Sequence, residues 1–395
     1  MDKIKLLKNV ISKSINNLNE KYIKRNSKIS LRDVIYGLSL KTIFSYSYDK
    51  VTYKLNINRE NKISCSGFKN KSNYLNSDDI QTLNNDLLNH IYEDNTIKRV
   101  LAVDGSHLKT SKVLNKNGLK FSSKKDNYTT SIISGLYDVD KKIIINYNHS
   151  TLKDERKCFI EQLKYVRKND TLLFDRGYYS EQLINILNNK NVDYIFRMKK
   201  KISKIKYLKE NNLNEYIYII NNNKYKIVNY KIHDEGEEYF LLTSLIHKDL
   251  EELKILYKKR WRIETHFKEA KCTTSLNEIN IKSLDKLLKE IKIHNYVYIL
   301  YYYFNYCIED IAINEKYELN HKLSLEIFVE DILFIMIYKK KIKKYILYII
   351  DILPKTYKHK ENRHFNRESI IKFSKWYFRD EDNRKSRRKS KTKIL

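Results

Sequence analysis

Four polar residues that could act together on a charged substrate recur at helical spacing: Tyr257, Arg260, Glu264 and Lys271. At about 100° per residue of an α-helix, all four fall within a strip roughly 60° wide. The spacing therefore predicts a single helix that presents one carboxylate between cations and a phenol. The strip is about 21 Å long, which suits a polyanion better than a small ligand. An ordinary surface helix with an Arg260–Glu264 pair, contributing only about 0.3–0.5 kcal/mol, is the simpler alternative for this segment in isolation.

Two aspartates follow short apolar runs, which are typical of buried strands. Asp104 comes directly after residues 100–103, and Asp175 comes directly after residues 172–174. Ligand sites in open α/β sheets favour strand ends, so we expect both side chains at one rim. Each aspartate alone is more often a turn or cap residue. Together with Glu264, however, they offer the hard oxygen ligands that Mg²⁺ prefers, and two such ions can activate an attacking oxygen and stabilise a leaving one.

The charge of the chain favours a polyanionic partner. Its 395 residues contain 78 Lys+Arg and 48 Asp+Glu, a formal net charge of +30. Neutralising phosphates releases condensed counterions, so nucleic acid is the leading candidate, with a membrane surface as a distant alternative. Part of the lysine excess could also reflect A/T-rich codons, because Lys, Asn, Ile and Tyr are all abundant.

Several classes of protein are disfavoured. The cysteines, at 65, 158, 272 and 307, lack zinc-finger spacing. The longest apolar run, residues 296–308, is shorter than the roughly 18 residues of a membrane span, and the N-terminus lacks a signal-like apolar stretch. We therefore expect an intracellular protein that acts at DNA, in the cytoplasm or nucleoid or in a eukaryotic nucleus, and not at a membrane.

Periodicity divides the chain into three regions. Residues 1–95 read as short helices that could bind DNA, with a capping box at Ser30 and a turn at Gly37; an ordinary helical hairpin is the alternative. Residues 96–295 predict an α/β catalytic domain. Residues 296–395 predict a helical region that could mediate dimerisation, with a basic tail at 384–389.

Within 96–295, the order of elements resembles a ribonuclease-H-like core. Strands are predicted at 100–103, 130–136, 143–147, 172–174 and 194–196, and helices at 154–167 and about 180–188. The block Asp154-Glu155-Arg156 opens the first of these helices, where an acid favours the helix dipole; a supporting role near the metal site is the alternative. Residues 199–249 predict a β-rich insertion. Helical periodicity resumes at 250, and His266 falls on the predicted solvent side of its helix.

The sequence resembles the bacterial cut-and-paste DDE transposases of the insertion-sequence-four group. The hallmark Y-x2-R-x3-E-x6-K matches at Tyr257, Arg260, Glu264 and Lys271. The blocks of residues 103–105 and 174–178 resemble the contexts of the two family aspartates, and the β-rich interval resembles the family insertion. The resemblance covers residues 98–275 well and the remainder only in general character.

The resemblance implies specific roles for these residues. Asp104, Asp175 and Glu264 would hold two Mg²⁺ ions, with Mn²⁺ able to substitute. Tyr257 and Arg260 would hold the phosphate beside the cut, while Lys271 and Arg176 would contact DNA further along. The implied reaction is cleavage at the terminal inverted repeats of a transposon, followed by strand transfer into target DNA by a homodimer.

Two rival functions fit the same residues. One is a domesticated derivative that binds DNA without cutting it, and the other is a ribonuclease-H-like nuclease without strand transfer. Some members of the group hold a flipped base with a tryptophan of the insertion during hairpin formation. This chain has no tryptophan between 198 and 249, so a hairpin route would need a tyrosine or phenylalanine there.

Overall fold

The computed structural model shows an α/β protein with a central sheet and flanking helices. It describes residues 2–22, 27–57, 59–94, 96–121, 127–151, 154–211, 213–220, 223–231, 238–274, 276, 278–279, 281–312, 317–338 and 355–357. The chain forms two compact units. The first contains Met1–Leu87, His107–Ser131 and Lys271–Leu395, and the second contains Leu88–Ser106 and Ile132–Ala270. This division does not test the predicted three-region organisation, which stays a prediction.

The elements are numbered in chain order. The helices are α1 (Asp2–Tyr22), α2 (Leu31–Phe44), α3 (Tyr48–Asn56), α4 (Cys65–Tyr74), α5 (Ser77–Ile91), α6 (Glu155–Ile160), α7 (Glu181–Asn189), α8 (Ser203–Glu210), α9 (Leu250–Lys258), α10 (Trp261–Thr273), α11 (Leu284–Ala312), α12 (His321–Ile327) and α13 (Leu333–Ile337). The strands are β1 (Val100–Ser111), β2 (Lys120–Phe121), β3 (Tyr128–Asp138), β4 (Ile143–Ser150), β5 (Thr171–Phe174), β6 (Asp193–Arg197), β7 (Glu215–Ile220), β8 (Asn223–Lys231), β9 (Glu238–Thr243), β10 (Glu278–Ile279), β11 (Tyr317–Leu319) and β12 (Lys355–Tyr357).

The start of α2 confirms one local prediction, and its middle corrects another. Ser30 forms the predicted capping box with Asp33. Gly37, predicted as a turn, instead lies inside α2 and is buried. A Cβ at Gly37 would lie 2.5 Å from Cζ of Phe68, so glycine is needed there for close packing and not for a turn. The turn predicted at Gly37 is therefore absent, since α2 continues through that residue.

The sheet of the second unit is built around three parallel strands. Its strand order is β4-β3-β1-β5-β6-β9-β8-β7. β1 pairs in parallel with β5, and β5 pairs in parallel with β6. Parallel strands are covered on both faces, which explains the continuous apolar runs at 100–103 and 172–174. The predicted sequence of strands and helices between 100 and 197 is confirmed, with α6 ending at Ile160 instead of about residue 167.

The strand β1 is longer than the sequence predicted. The continuous apolar run ends at Val103, but β1 continues through the buried Leu108 to Ser111, and its outer part pairs with β10. Asp104 consequently lies within β1 and not at its end. The prediction failed because the polar residues that follow Asp104 resemble a turn, whereas β-strand pairing stabilises them in an extended conformation.

Residues 199–249 extend the main sheet. The predicted alternating stretches form β7, β8 and β9, preceded by α8. β9 pairs antiparallel with β6, and β8 pairs antiparallel with β9, so these strands continue directly from the three parallel strands. The β-rich character of this interval is confirmed, and its placement in the same sheet was not visible in the sequence.

The predicted single helix that carries Tyr257 through Lys271 is wrong. α9 ends at Lys258 and α10 begins at Trp261. The intervening turn uses shorter bonds, with the amide of Ile263 donating to the carbonyl of Arg260. A helical break of this kind shifts the angular positions of residues on either side, so the sequence-based strip does not exist as one surface.

In the first unit, the tyrosine-rich segment of α11 forms core. Tyr296, Tyr298 and Tyr301 are buried, and Tyr301 meets Phe328 edge-on at 5.6 Å between ring centroids. Core packing is therefore the role of these side chains in the unit. No helix among the described residues is long and apolar enough to cross a membrane. The basic run at 384–389 lies outside the described residues.

Candidate active site

Asp104 and Asp175 are brought side by side by the register of β1 and β5. The last paired residues of the two strands are Val103 and Phe174, so the next residue of each strand is an aspartate. Asp175 then leaves the sheet in a turn, with the amide of Tyr178 donating to its carbonyl. Parallel pairing therefore makes Asp104 and Asp175 neighbours along the backbone of the two strands.

Arg260 connects the first aspartate to the helical glutamate. Its Nη2 donates to Oε1 of Glu264 at 2.5 Å, and its Nη1 lies 3.8 Å from Oδ2 of Asp104. The Arg260 side chain is only 3% exposed, whereas those of Asp104 and Glu264 are 21% and 38% exposed. A buried guanidinium needs such partners, and the two carboxylates would repel each other without it.

A fourth carboxylate, that of Glu155, lies beside this group. A Cβ at Gly105 would be 2.6 Å from Cδ of Glu155, so the missing side chain at Gly105 makes room for the glutamate. Glu264 and Glu155 both raise the pKa of Asp104 by charge repulsion. The sequence offered Glu155 only as a helix-opening acid with a supporting role as the alternative. No local pattern reveals that α6 lies next to Gly105.

Burial raises the pKa of Asp104 to about 7, and Arg260 opposes that shift. The folded protein therefore favours the protonated form more than the unfolded chain does. The stability contributed by this preference is complete below the ordinary value of 3.8 and is lost as the pH rises through about 7.

We expect Asp104→Asn to flatten this pH dependence. Between about pH 5 and pH 8, in a chelator and without metal, the wild type should lose more free energy of unfolding than the variant. Urea unfolding at the two pH values measures the difference. Parallel losses in the two proteins would show that Asp104 does not titrate in this range.

The second aspartate lies in a basic setting of its own. Nη1 of Arg197, at the end of β6, lies 3.8 Å from Oδ1 of Asp175. The same guanidinium lies 4.4 Å from the ring centroid of Tyr239. Arg197 was not singled out from the sequence, because the order of strands that places it beside Asp175 is a tertiary property.

A cavity of about 610 Å³ opens beside Asp175. Its lining residues are Asp175, Arg176, Gly177, Arg197, Met198, Lys199, Lys200, Lys201, Glu238 and Tyr239. Five cationic side chains face two acidic ones, which favours an anionic occupant. The structure thus places Arg176, one of the expected DNA contacts, in a basic cavity next to the second aspartate.

Tyr257 is placed differently from Arg176. Its ring is 3% exposed and belongs to a core cluster with Leu173, Ile195 and Leu253. The hydroxyl donates to the carbonyl oxygen of Phe174 at 3.3 Å, directly before Asp175. Burial raises the pKa of this phenol above its usual range. In this arrangement the tyrosine contacts the strand that carries the aspartate.

The remaining predicted contact, Lys271, lies in the last turn of α10 and is half-buried. Burial lowers its pKa. α10 is shared by the two units, with the boundary between Ala270 and Lys271. The structure therefore brings Tyr257, Arg260 and Glu264 into the second unit with the two aspartates and assigns Lys271 to the first.

His266 corrects a further expectation. It was predicted to face solvent, but it is 2% exposed, and Tyr147 bonds to its Nε2. Burial lowers its pKa to about 3, which keeps the imidazole neutral. α10 buries this side because it packs with Ile263 and Phe267 against the sheet around Gly135.

Comparison with known proteins decides the family. The profile described as Transposase DDE domain matches residues 95–300, which is slightly more than half of the chain. The chain belongs to the transposase DDE domain family. The matched segment contains both aspartates, Arg260, Glu264 and all of β1 to α10.

Two other comparisons add less. Among solved structures, the transposase is similar to the one described as "Cryo-EM structure of piggyBac transposase synaptic complex with hairpin DNA (SNHP)". The TM-score is 0.49 and the identity 14%, over 88% of this chain and 83% of that one. No curated protein matches the chain.

The carboxylates suit a hard cation in their chemistry. Asp104, Asp175 and Glu264 offer oxygen ligands of the kind that Mg²⁺ takes, whereas Arg260 already places a positive charge between Asp104 and Glu264. Among the described residues, no three His, Cys, Asp or Glu side chains are grouped closely enough to hold a metal ion. Metal binding at this transposase site would therefore require the carboxylates to come closer together than they are in this structure.

Proposed function

We propose that this transposase is a metal-dependent DNA-cleaving and strand-transferring enzyme with a ribonuclease-H-like core, of the insertion-sequence-four group. The observation that carries the proposal is the register of β1 and β5, which sets Asp104 beside Asp175. Arg260 contacts both Asp104 and Glu264, which brings Glu264 near the first aspartate. Membership of the transposase DDE domain family agrees with this assignment.

Asp104, Asp175 and Glu264 are the residues that would hold Mg²⁺ or Mn²⁺, and we propose two ions. When bound, such ions activate an attacking oxygen and stabilise a leaving oxygen at phosphorus. Glu155 is placed to adjust the charge around Asp104, since it already raises the pKa of that carboxyl group.

Arg260 has two roles in this proposal. Without metal, it neutralises Asp104 and Glu264 and holds them in position. The guanidinium donors of Arg260 match the oxygens of a phosphate, so the phosphate contact expected from the sequence is kept here as its second role.

The basic cavity beside Asp175 would bind the DNA backbone that leads into the site. Arg176, Arg197 and the three lysines at 199–201 supply charge, and the Tyr239 ring lies against the Arg197 guanidinium in the same cavity. Tyr257 acts here as a positioning residue, because its hydroxyl bonds to the carbonyl before Asp175. We keep Lys271 as a contact with the DNA further from the cut. We also propose that the transposase acts as a homodimer on double-stranded DNA.

The decisive experiment separates cutting from joining. The protein is incubated with DNA that carries the flanking ends of its gene, with and without Mg²⁺, and separately with a pre-cut end bearing a free 3′-OH and a supercoiled target plasmid. We expect metal-dependent nicking of the first substrate and joined products from the second. Nicking without joining would establish a nuclease instead, and binding without either reaction would establish a domesticated DNA-binding protein.

A further inference from the structure

The first unit contains a second basic cavity, of about 350 Å³. Five lysines and one glutamate line it: Lys41, Lys69, Lys282, Lys286, Lys289 and Glu290. They come from α2, α4, the segment before α11, and α11 itself. An excess of like charge around one concavity costs free energy unless an anion shares it. We call it the lysine cavity.

One lysine of the cavity is anchored. Lys289 is 6% exposed, and its Nζ donates to the carbonyl oxygens of Ser72 at 2.8 Å and Leu75 at 3.0 Å. An ammonium has three N–H donors, so one remains for a ligand. Burial is the main cause that lowers the pKa of Lys289, and repulsion by Lys286 and Lys41 lowers it further, against the opposing charges of Asp285 and Glu290. An anion in the cavity would relieve that repulsion.

Most of the other charge is not neutralised within the unit. Lys41 pairs with Glu290 at 2.9 Å. Lys69, Lys282 and Lys286 form no ion pair with any residue in the described part of the chain. Lys69 and Lys282 are exposed, so they are available at the mouth of the cavity to an extended ligand.

The start of α11 also lies at the cavity and carries Asp285 in its first turn. The carbonyl of Ser283 accepts from the amide of Leu287, which makes Ser283 the cap of a 29-residue helix. The first amides of a helix carry partial positive charge and bind phosphate readily. Ser283 itself lines the cavity.

We propose that the lysine cavity binds backbone phosphates of DNA, as a DNA contact of the first unit separate from the residues of the proposed active site. Lysines act as point charges that bind phosphate without reading bases, so the contact would be independent of sequence. The cavity has room for one phosphate and its sugar, within the usual range of small-ligand sites. The proposal rests on the proposed function, because it takes DNA as the substrate.

The test compares two variants of the full chain with equal charge change. Lys69→Glu with Lys282→Glu alters the mouth of the cavity, and Lys13→Glu with Lys322→Glu alters exposed lysines of α1 and α12 that do not line it. Binding of a duplex oligonucleotide is measured over a series of salt concentrations. Affinity falls as salt rises, and this dependence should be weaker for the cavity variant. The magnitude of the slope of log affinity against log salt should be smaller by about two, because each lost phosphate contact removes about 0.9. Its affinity should fall at least about tenfold below that of the control.

Pyrophosphate binding to the same proteins shows whether the cavity binds the phosphates of DNA or a small phosphate compound. Loss of DNA affinity and salt slope in the cavity variant alone, with metal-dependent cleavage retained at saturating DNA, supports the proposal. Equal DNA binding by the two variants overturns it, even if the wild type cuts DNA. Loss of pyrophosphate binding without loss of DNA binding overturns it too, and assigns the cavity to a small phosphate compound. A wild type that binds DNA but never cuts it refutes the proposed function alone.

Discussion

Asp175→Asn is expected to reduce metal-dependent DNA cleavage by about 1,000-fold or more and to leave DNA binding intact. The substitution keeps the size of the side chain and removes the charge that a bound cation needs. A loss of several kcal/mol of transition-state stabilisation corresponds to this factor, since each 1.36 kcal/mol changes a rate about tenfold. Single-turnover cleavage of an end substrate, at saturating protein, measures it.

Asp193→Asn is the matched control for this substitution. Asp193 begins β6, the strand that pairs with β5, and its side chain is 31% exposed against 32% for Asp175. It lies at the opposite end of the parallel strands, so its loss should change cleavage less than about twofold. Asp104→Asn should behave like Asp175→Asn. If cleavage survived both site substitutions, the proposed active site would be misplaced.

Arg99→Met is expected to have the largest effect on stability, about 3–5 kcal/mol of the free energy of unfolding. Arg99 and Asp170 form a buried pair, with side chains 3% and 2% exposed. Nε and Nη2 of Arg99 donate to the two carboxylate oxygens at 3.0 Å and 2.6 Å, and Nη2 also donates to the carbonyl of Tyr165. Methionine would leave the Asp170 charge buried and without its guanidinium. Urea unfolding measures the loss.

Two controls show whether burial is the cause. Lys98→Met removes an exposed pair with Asp193, whose side chains are 48% and 31% exposed, and should cost less than about 1 kcal/mol. Combining Arg99→Met with Asp170→Leu should recover part of the loss, because no buried charge then remains unpaired. Equal costs for Lys98→Met and Arg99→Met would contradict this explanation.

The Arg99–Asp170 pair also affects the two strands that carry the candidate active site. Arg99 directly precedes β1 and Asp170 directly precedes β5, and the carbonyl of Arg99 accepts from the amide of Thr171. The pair therefore fixes the start of the two strands that carry Asp104 and Asp175. We expect part of the cleavage activity to be lost with Arg99→Met at temperatures where the protein is still folded, because the strand register would loosen.

Local sequence was sufficient to predict most of the strands and helices around the candidate site. Apolar runs predicted β5 and the beginning of β1, so Asp104 and Asp175 were found directly after them. The Ser30 capping box and the strands of 199–249 were likewise predicted, since caps and alternating patterns are encoded within a few residues. These signals are local, and tertiary contacts did not override them here.

Only the tertiary structure decided which groups meet. Glu155 reaches Asp104 because α6 lies next to Gly105, and Arg197 reaches Asp175 because β6 is the neighbour of β5. The break between α9 and α10 buried Tyr257 and placed Arg260 between two carboxylates, which a continuous helical wheel could not predict. Periodicity reports which face of an element is apolar, whereas strand order, helix breaks and packing depend on contacts between residues far apart in the chain.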